Sequence, residues 1–280
     1  MIRKVESTLS TTPVLEGAGV KLQRVFGYPR QGWLDPFLML DHFGSDNPAD
    51  YIAGFPWHPH RGIETVTYML AGEVDHEDSM GNKGKIKSGD IQWMTAGSGI
   101  LHQEMPRSFE GTMSGFQLWV NLPAAHKMMK PRYQDIASHL IPEFVWKGLK
   151  IRLAAGKFGE YTGPVKDIMV KPVFMDITIP AGVQQTIEID PAHTVFVYVF
   201  EGSGYFDQMM KNPIGSGTLA KLVSGDQVFM GTDQSATRFL LVAGKPLNEP
   251  IAWRGPIVMN TKEELYQAFE EYQTGNFIKK

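Results

Sequence analysis

The chain has 280 residues, 42% hydrophobic and 20% charged, with 27 basic against 30 acidic side chains for a net charge of −3. That near balance, with no long basic run, argues against direct nucleic-acid binding through the phosphates. The absence of cysteine excludes disulfides, thiolate metal ligands and a cysteine nucleophile, so any metal must be held by histidine, carboxylate or water.

The N-terminus, MIRKVESTLSTTPVLEGAG, lacks the apolar core of a secretory signal, and no run is long enough to span a membrane. A cytoplasmic location is expected, or a nuclear one if the source is eukaryotic. Glycine (29) and proline (18) are plentiful, which predicts many short strands joined by turns. Val20–Phe26 alternates as a strand, and Phe37–Leu40 is an apolar run suited to a buried one. His42 follows as a structural histidine near the strand end.

Residues 55–106 carry the chemistry. A strand sends alternate side chains to opposite faces, so His58 and His60 share one face and Pro59 takes the other. Gly62 and Glu64 have the same parity and are expected to continue the inward face. Thr65–Leu70 is rich in strand formers, with Gly72 ending it. His76-Glu77-Asp78, lying before Gly81-Asn82, is expected to be a solvated connection. Gly89-Asp90 turns into Ile91–Met94, and Gly97 and Gly99 are expected to take backbone angles closed to other residues. His102 and Glu104 again share one face. Two such strands meeting inside a small barrel offer three imidazoles and a carboxylate to one point. That set suits a divalent first-row metal: iron, manganese, nickel, copper or zinc.

Phe116–Val120 is another strand. Ala124–Met129 is expected as a short helix stopped by Pro131, within a connector over residues 122–150. Strands return at Ile151–Ala154, Val173–Ile179, Val195–Phe200, Leu219–Val223, Gln227–Met230 and Phe239–Val242. Thr261 and Glu264 make a capping box for a helix over residues 261–275. Leu265, Ala268, Phe269 and Tyr272 form its apolar stripe, and Gly275 stops it.

The chain also contains itself twice, weakly. Ser88-Gly89-Asp90-Ile91-Gln92-Trp93-Met94 resembles Ser224-Gly225-Asp226-Gln227-Val228-Phe229-Met230, and Leu70-Ala71-Gly72 resembles Phe200-Glu201-Gly202. Carried across at these spacings, His58, His60 and Glu64 fall on Glu188, Asp190 and Thr194. His102 and Glu104 fall on Arg238 and Leu240. The second copy is therefore expected to have no equivalent metal site, with Arg238 placing a fixed positive charge where a ligand would be.

The run His58–Val66, followed by Gly89–Pro106, resembles the pirin family within the cupin superfamily. Leu34–Phe37, Leu118–Leu122 and Gly255–Thr261 match it too, so the resemblance spans nearly the whole chain. It implies an all-β fold of two cupin (jelly-roll) β-barrels in tandem. Residues 1–135 would form a metal-binding barrel, and residues 136–280 a barrel without ligands, ending in the C-terminal helix. By the family's pattern the ligands are His58, His60, His102 and Glu104, usually around iron as Fe(II), with zinc, manganese, nickel, copper or cobalt as alternatives. Glu64, the carboxylate of the common cupin motif, would then orient a ligand or water, or pair with a cation such as Arg61.

Bacterial pirins of this kind resemble quercetin 2,3-dioxygenases. The implied partners are a small aromatic substrate such as a flavonol, and O2. Glu104 is the candidate base, and Phe55, Trp57 and Met105 lie beside the ligands as wall or packing residues. Two other readings stay open. One is a redox- or metal-dependent regulator that binds a protein partner, such as a transcription factor or a metabolic enzyme. The other is a cupin acting on a different oxygen-rich small molecule.

Overall fold

The computed structural model describes residues 1–279. The chain runs β1 (Val5–Ser10), β2 (Thr12–Glu16), β3 (Val20–Phe26), β4 (Phe37–Ser45), β5 (Phe55–His60), β6 (Ile63–Ala71), β7 (Glu73–Asp78), β8 (Lys83–Lys87), β9 (Ile91–Thr95), β10 (Ile100–Pro106), β11 (Met113–Asn121) and β12 (Arg132–Ile136). It continues with β13 (Glu143–Trp146), β14 (Leu149–Ala155), β15 (Lys157–Phe158), β16 (Tyr161–Thr162), β17 (Val173–Ile179), β18 (Gln184–Glu188), β19 (Thr194–Glu201), β20 (Ser203–Gly204) and β21 (Ile214–Gly215). The last elements are β22 (Thr218–Leu222), β23 (Gln227–Gly231), β24 (Thr237–Gly244), β25 (Ala252–Arg254), β26 (Ile257–Met259) and the helix α1 (Lys262–Gln273). Among the described residues no helix is long and apolar enough to cross a membrane.

Two compact units result, and neither is a continuous half of the chain. The first comprises Thr12–Gly32, Phe37–Ser138 and Leu247–Lys280; the second comprises Met1–Thr11, Trp33–Pro36 and His139–Pro246. The helix expected with the second half therefore belongs to the first unit. Arg61, itself buried, fixes it there. Its guanidinium donates to Glu271 (2.7 Å), to the Phe277 carbonyl (2.8 Å) and to the Ser98 carbonyl (2.7 Å), and lies over the Phe277 ring. The predicted capping box is present: Thr261 accepts from the Glu264 N–H while Glu264 accepts from the Thr261 N–H. Leu265 and Ala268 are its buried face.

In the first unit a seven-stranded sheet has the order β12-β9-β6-β11-β4-β3-β2, and a four-stranded sheet the order β5-β10-β7-β8. Their inner faces meet in an apolar cluster of Val20, Met69, Val74, Ile86 and Met113. That arrangement is a jelly-roll sandwich closing a barrel. Alternation governs the four-stranded sheet: β7 and β10 bury every second residue. The expected helix at Ala124–Met129 is only a 3₁₀ turn over Ala124–His126. Lys127 follows it, fully buried, with its Nζ donating to Gly62 O, Asn121 Oδ1 and Val258 O at 2.7–3.0 Å. Those three acceptors satisfy the buried amine where the segment places it.

The second unit has a seven-stranded sheet of order β1-β22-β19-β24-β17-β14-β13 and a ribbon β18-β23. This repeats the first unit, with β22, β19, β24 and β17 standing for β9, β6, β11 and β4, and β18-β23 for β5-β10. The repeated Ser-Gly-Asp tripeptides do not mark equivalent turns, however. Ser88–Asp90 precedes β9, a strand of the large sheet, whereas Ser224–Asp226 precedes β23, the counterpart of β10. The residues reached by that spacing are accordingly not counterparts of the ligands. Arg238 lies on β24 and is held by Asp176 at 2.7 and 3.0 Å.

Candidate metal centre

Three strands of the small sheet assemble the site. In the β5–β10 pair His102 lies directly opposite His58, and Ile100 opposite His60. The side chains of His58, His60 and His102 converge, with ring centroids 4.3–5.0 Å apart. His60 and His102 are buried, at 2% and 0% exposure, and His58 is half-buried. The structure thus brings His58, His60 and His102 together; Glu104 shares the buried face of β10 with His102 but groups with His76 and His102 rather than with His58 and His60.

The chain then breaks that parity. Gly62 adopts φ +78°, and a Cβ there would meet the Val258 carbonyl at 1.9 Å. This turn moves the next strand into the other sheet. Glu64 on β6 consequently does not continue the inward face. It is buried opposite Thr95, whose hydroxyl donates to it at 2.7 Å. Arg61 is not its partner, being engaged with Ser98, Glu271 and Phe277. Burial lifts the Glu64 carboxyl to about 6, against the pull of Thr95.

The histidines are prepared as ligands. His58 Nδ1 lies 2.9 Å from the Pro56 carbonyl, and His60 Nδ1 lies 3.1 Å from the Pro256 carbonyl. A carbonyl only accepts, so both Nδ1 atoms carry the proton and both Nε2 atoms present lone pairs. Those two Nε2 atoms are 3.1 Å apart. Two lone pairs at that distance repel unless a cation lies between them. Two nitrogens at about 2.1 Å from one ion and at right angles sit about 3 Å apart. His102 is completely buried and neither ring nitrogen has a hydrogen-bond partner, which in a native structure needs an explanation. Burial first, and neighbouring imidazoles second, hold His60 and His102 well below the usual histidine range. They are neutral, the state a metal requires. The donor set fits a divalent ion.

Glu104 stands two residues beyond His102 on the same face. Its Oε1 accepts from the Thr67 hydroxyl at 2.9 Å, and that hydroxyl oxygen lies 3.0 Å from the Gln117 amide. His58, His60, Thr67, Glu104 and Gln117 open into a cavity of about 780 Å³, walled by Leu22, Met39, Phe43, Phe55, Trp119 and Trp253. Phe55 is thus a wall residue, whereas Trp57 is 46% exposed beside it.

Two pairs of contributors escaped the sequence reading. His76 and Asp78, expected in a solvated connection, are buried at 2% and 3% exposure. On β7 they lie directly across from Glu104 and His102. The signal was present in the parity of Val74, His76 and Asp78 before the Gly81-Asn82 turn. Pro256 and Trp253 are the other pair, nearly 200 residues from His60 in sequence, and nothing local announces their approach.

Comparison with known proteins gives the family. The profile of the Pirin family matches residues 19–120, and that of the Pirin C-terminal cupin domain matches residues 174–278. This chain belongs to the pirin family. A protein of Pseudomonas aeruginosa named "Putative quercetin 2,3-dioxygenase" is 45% identical over 268 residues, covering 94% of each chain. A pirin-like protein of Caulobacter vibrioides is 42% identical over 278 residues, covering 99% of each. The crystal structure of a quercetin 2,3-dioxygenase from Acinetobacter baumannii superposes with TM-score 0.91 at 35% identity, again covering 99% of each chain. The resemblance stated from the motifs, and the two-cupin all-β fold, are therefore correct for this pirin.

Proposed function

We propose that this pirin is a mononuclear metal-dependent dioxygenase that opens flavonols of the quercetin type with O2 and releases carbon monoxide. The observation that carries the reading is the facing pair of His58 and His60 Nε2 atoms, each backed by a carbonyl, at the wall of a mostly apolar cavity. Its volume of about 780 Å³ lies within the range of sites for small organic ligands, roughly 300–1,000 Å³. The names of the Pseudomonas and Acinetobacter proteins support the same reaction class.

We assign His58, His60, His102 and Glu104 as the residues that hold the ion, with Fe(II) as the metal. Bound there, the ion supplies Lewis acidity toward a substrate hydroxyl and redox access to O2. The protein does the rest. Phe55, Trp119 and Trp253 give flat apolar walls for an aromatic substrate and keep water from it. Trp119 also meets the His60 ring edge-on at 5.0 Å, which limits that imidazole's rotation. Glu104 accepts the proton of the flavonol 3-hydroxyl. Thr67 holds Oε1, so we assign the proton to the second carboxylate oxygen. A base within the donor set receives that proton where the flavonolate forms, without a relay.

The test is anaerobic loading with Fe(II), addition of a flavonol, then O2. Loss of the yellow flavonol band with stoichiometric carbon monoxide is the expected result. Iron-loaded protein that leaves flavonols untouched overturns the reading.

A further inference from the structure

We propose that His76, His102 and Glu104 form a second position for the divalent ion, an alternative to the one bounded by His58 and His60. The imidazoles and carboxylate of these three residues place donor atoms all within 4.8 Å of one another. His76 faces Glu104 directly across the β7–β10 pair. Its side chain is wholly buried, and neither ring nitrogen has a formed hydrogen bond. A buried imidazole left unsatisfied at both nitrogens costs stability unless something binds it.

What surrounds His76 is the support a metal-binding histidine receives. The Asp78 carboxylate stands 3.5 Å from His76 Nε2, just beyond a formed hydrogen bond, and a small approach would fix that nitrogen as the N–H. Asp78 is itself held by the Met80 N–H, the Asn82 N–H and the Asn82 amide at 2.8–3.1 Å. The Tyr133 ring stacks on His76 with centroids 5.0 Å apart, fixing its plane. With Nε2 directed at Asp78, Nδ1 is the ring nitrogen left with a lone pair.

The two positions differ in chemistry. The first presents three imidazoles, from His58, His60 and His102, beside the Glu104 carboxylate; the other presents the imidazoles of His76 and His102 with that same carboxylate. The second set is the type that holds Fe(II) with open positions in oxygen-using enzymes. Since both sets need His102, they are alternatives for one ion. The proposal concerns metal binding and stands apart from which organic substrate is used.

Co(II) is the probe. In a His58→Ala/His60→Ala chain with a native circular dichroism spectrum, visible absorption should report residual binding of a single Co(II). Adding His76→Phe should abolish it, and adding Asp78→Asn should weaken it about 10- to 100-fold. A folded double variant that binds no Co(II), or residual binding indifferent to His76→Phe, overturns the proposal. If the double variant does not fold, native chain and His76→Gln are compared, each with one Co(II). Loss of a spectral component supports the second position, and superimposable spectra overturn it. None of these measurements reads flavonol turnover, so failure of the dioxygenase reading is seen separately.

Discussion

In the first barrel β10 runs beside β5 with His102 opposite His58; in the second, β23 runs beside β18 with Val228 opposite Ile187. The frame is the same and the filling is not. Ile187, Val228 and Met230 join an apolar core with Leu153, Phe239 and Leu241, and each buried side chain there contributes through its transfer from water. At the matching place the first barrel buries imidazoles and a carboxylate, some with no partner. Such groups weaken a core. One copy of the fold therefore fills this place for stability, and the other accepts a cost in stability to gather side chains able to ligate a metal there.

The largest effect should come from His102→Ala, which removes the imidazole common to both donor sets. Even the partner of a ligand is worth about 10- to 100-fold in metal affinity, so losing the ligand should cost at least about 100-fold. Elemental analysis should find most of the metal gone, while the melting curve stays cooperative. A full metal equivalent retained would show that the histidines do not act together. Glu104→Gln is the milder probe of the same barrel. It should keep much of the metal and slow flavonol turnover by about 10²- to 10⁴-fold. Unchanged turnover would remove Glu104 from the proton transfer.

Leu241→Ala asks the complementary question of the second barrel. Its side chain is fully buried among apolar neighbours, and truncation should cost about 2–5 kcal/mol. Metal bound per folded chain should not change. A parallel loss of metal at full folding would mean that the second barrel shapes the site, and the division of labour would fail.

Much of this contrast was legible in the sequence. Period-2 alternation put His58 with His60 and His102 with Glu104, because strands impose that parity wherever they run unbroken. It misled beyond Gly62, where a positive φ redirects the chain into another sheet and takes Glu64 away from the site. The Ser-Gly-Asp repeats suggested the right duplication in the wrong register, since a tight turn with one composition serves any pair of strands. His76 was passed over because a His-Glu-Asp run looks solvated, although only Glu77 of the three stays out of the core. The approach of Pro256 and of the terminal helix is long-range packing, fixed by contacts such as Arg61 with Glu271, and local patterns carry no trace of it.

Buried carboxylates give the smallest and most specific test. Asp176 in the second barrel is bound in bidentate fashion by Arg238, whereas Glu64 in the first is held by the Thr95 hydroxyl, with Trp93 and the Arg132 charge also acting on it but no bidentate cation. Burial raises the Glu64 carboxyl from 4.5 to about 6, so between these values the folded chain holds more proton than the unfolded one. Stability from this group therefore falls as pH rises through that window. The cost is absent below the unfolded value and complete above about 6. Integrated from pH 5 to pH 7.5, the shift amounts to about 1 kcal/mol. Glu64→Gln cannot titrate and keeps an acceptor for Thr95. Urea unfolding at the two pH values should show the variant gaining about 1 kcal/mol on the native chain at the higher pH. An unchanged difference between the two proteins would mean that Glu64 titrates normally. The first barrel would then tolerate its carboxylate without a bidentate cation as easily as the second tolerates its paired one.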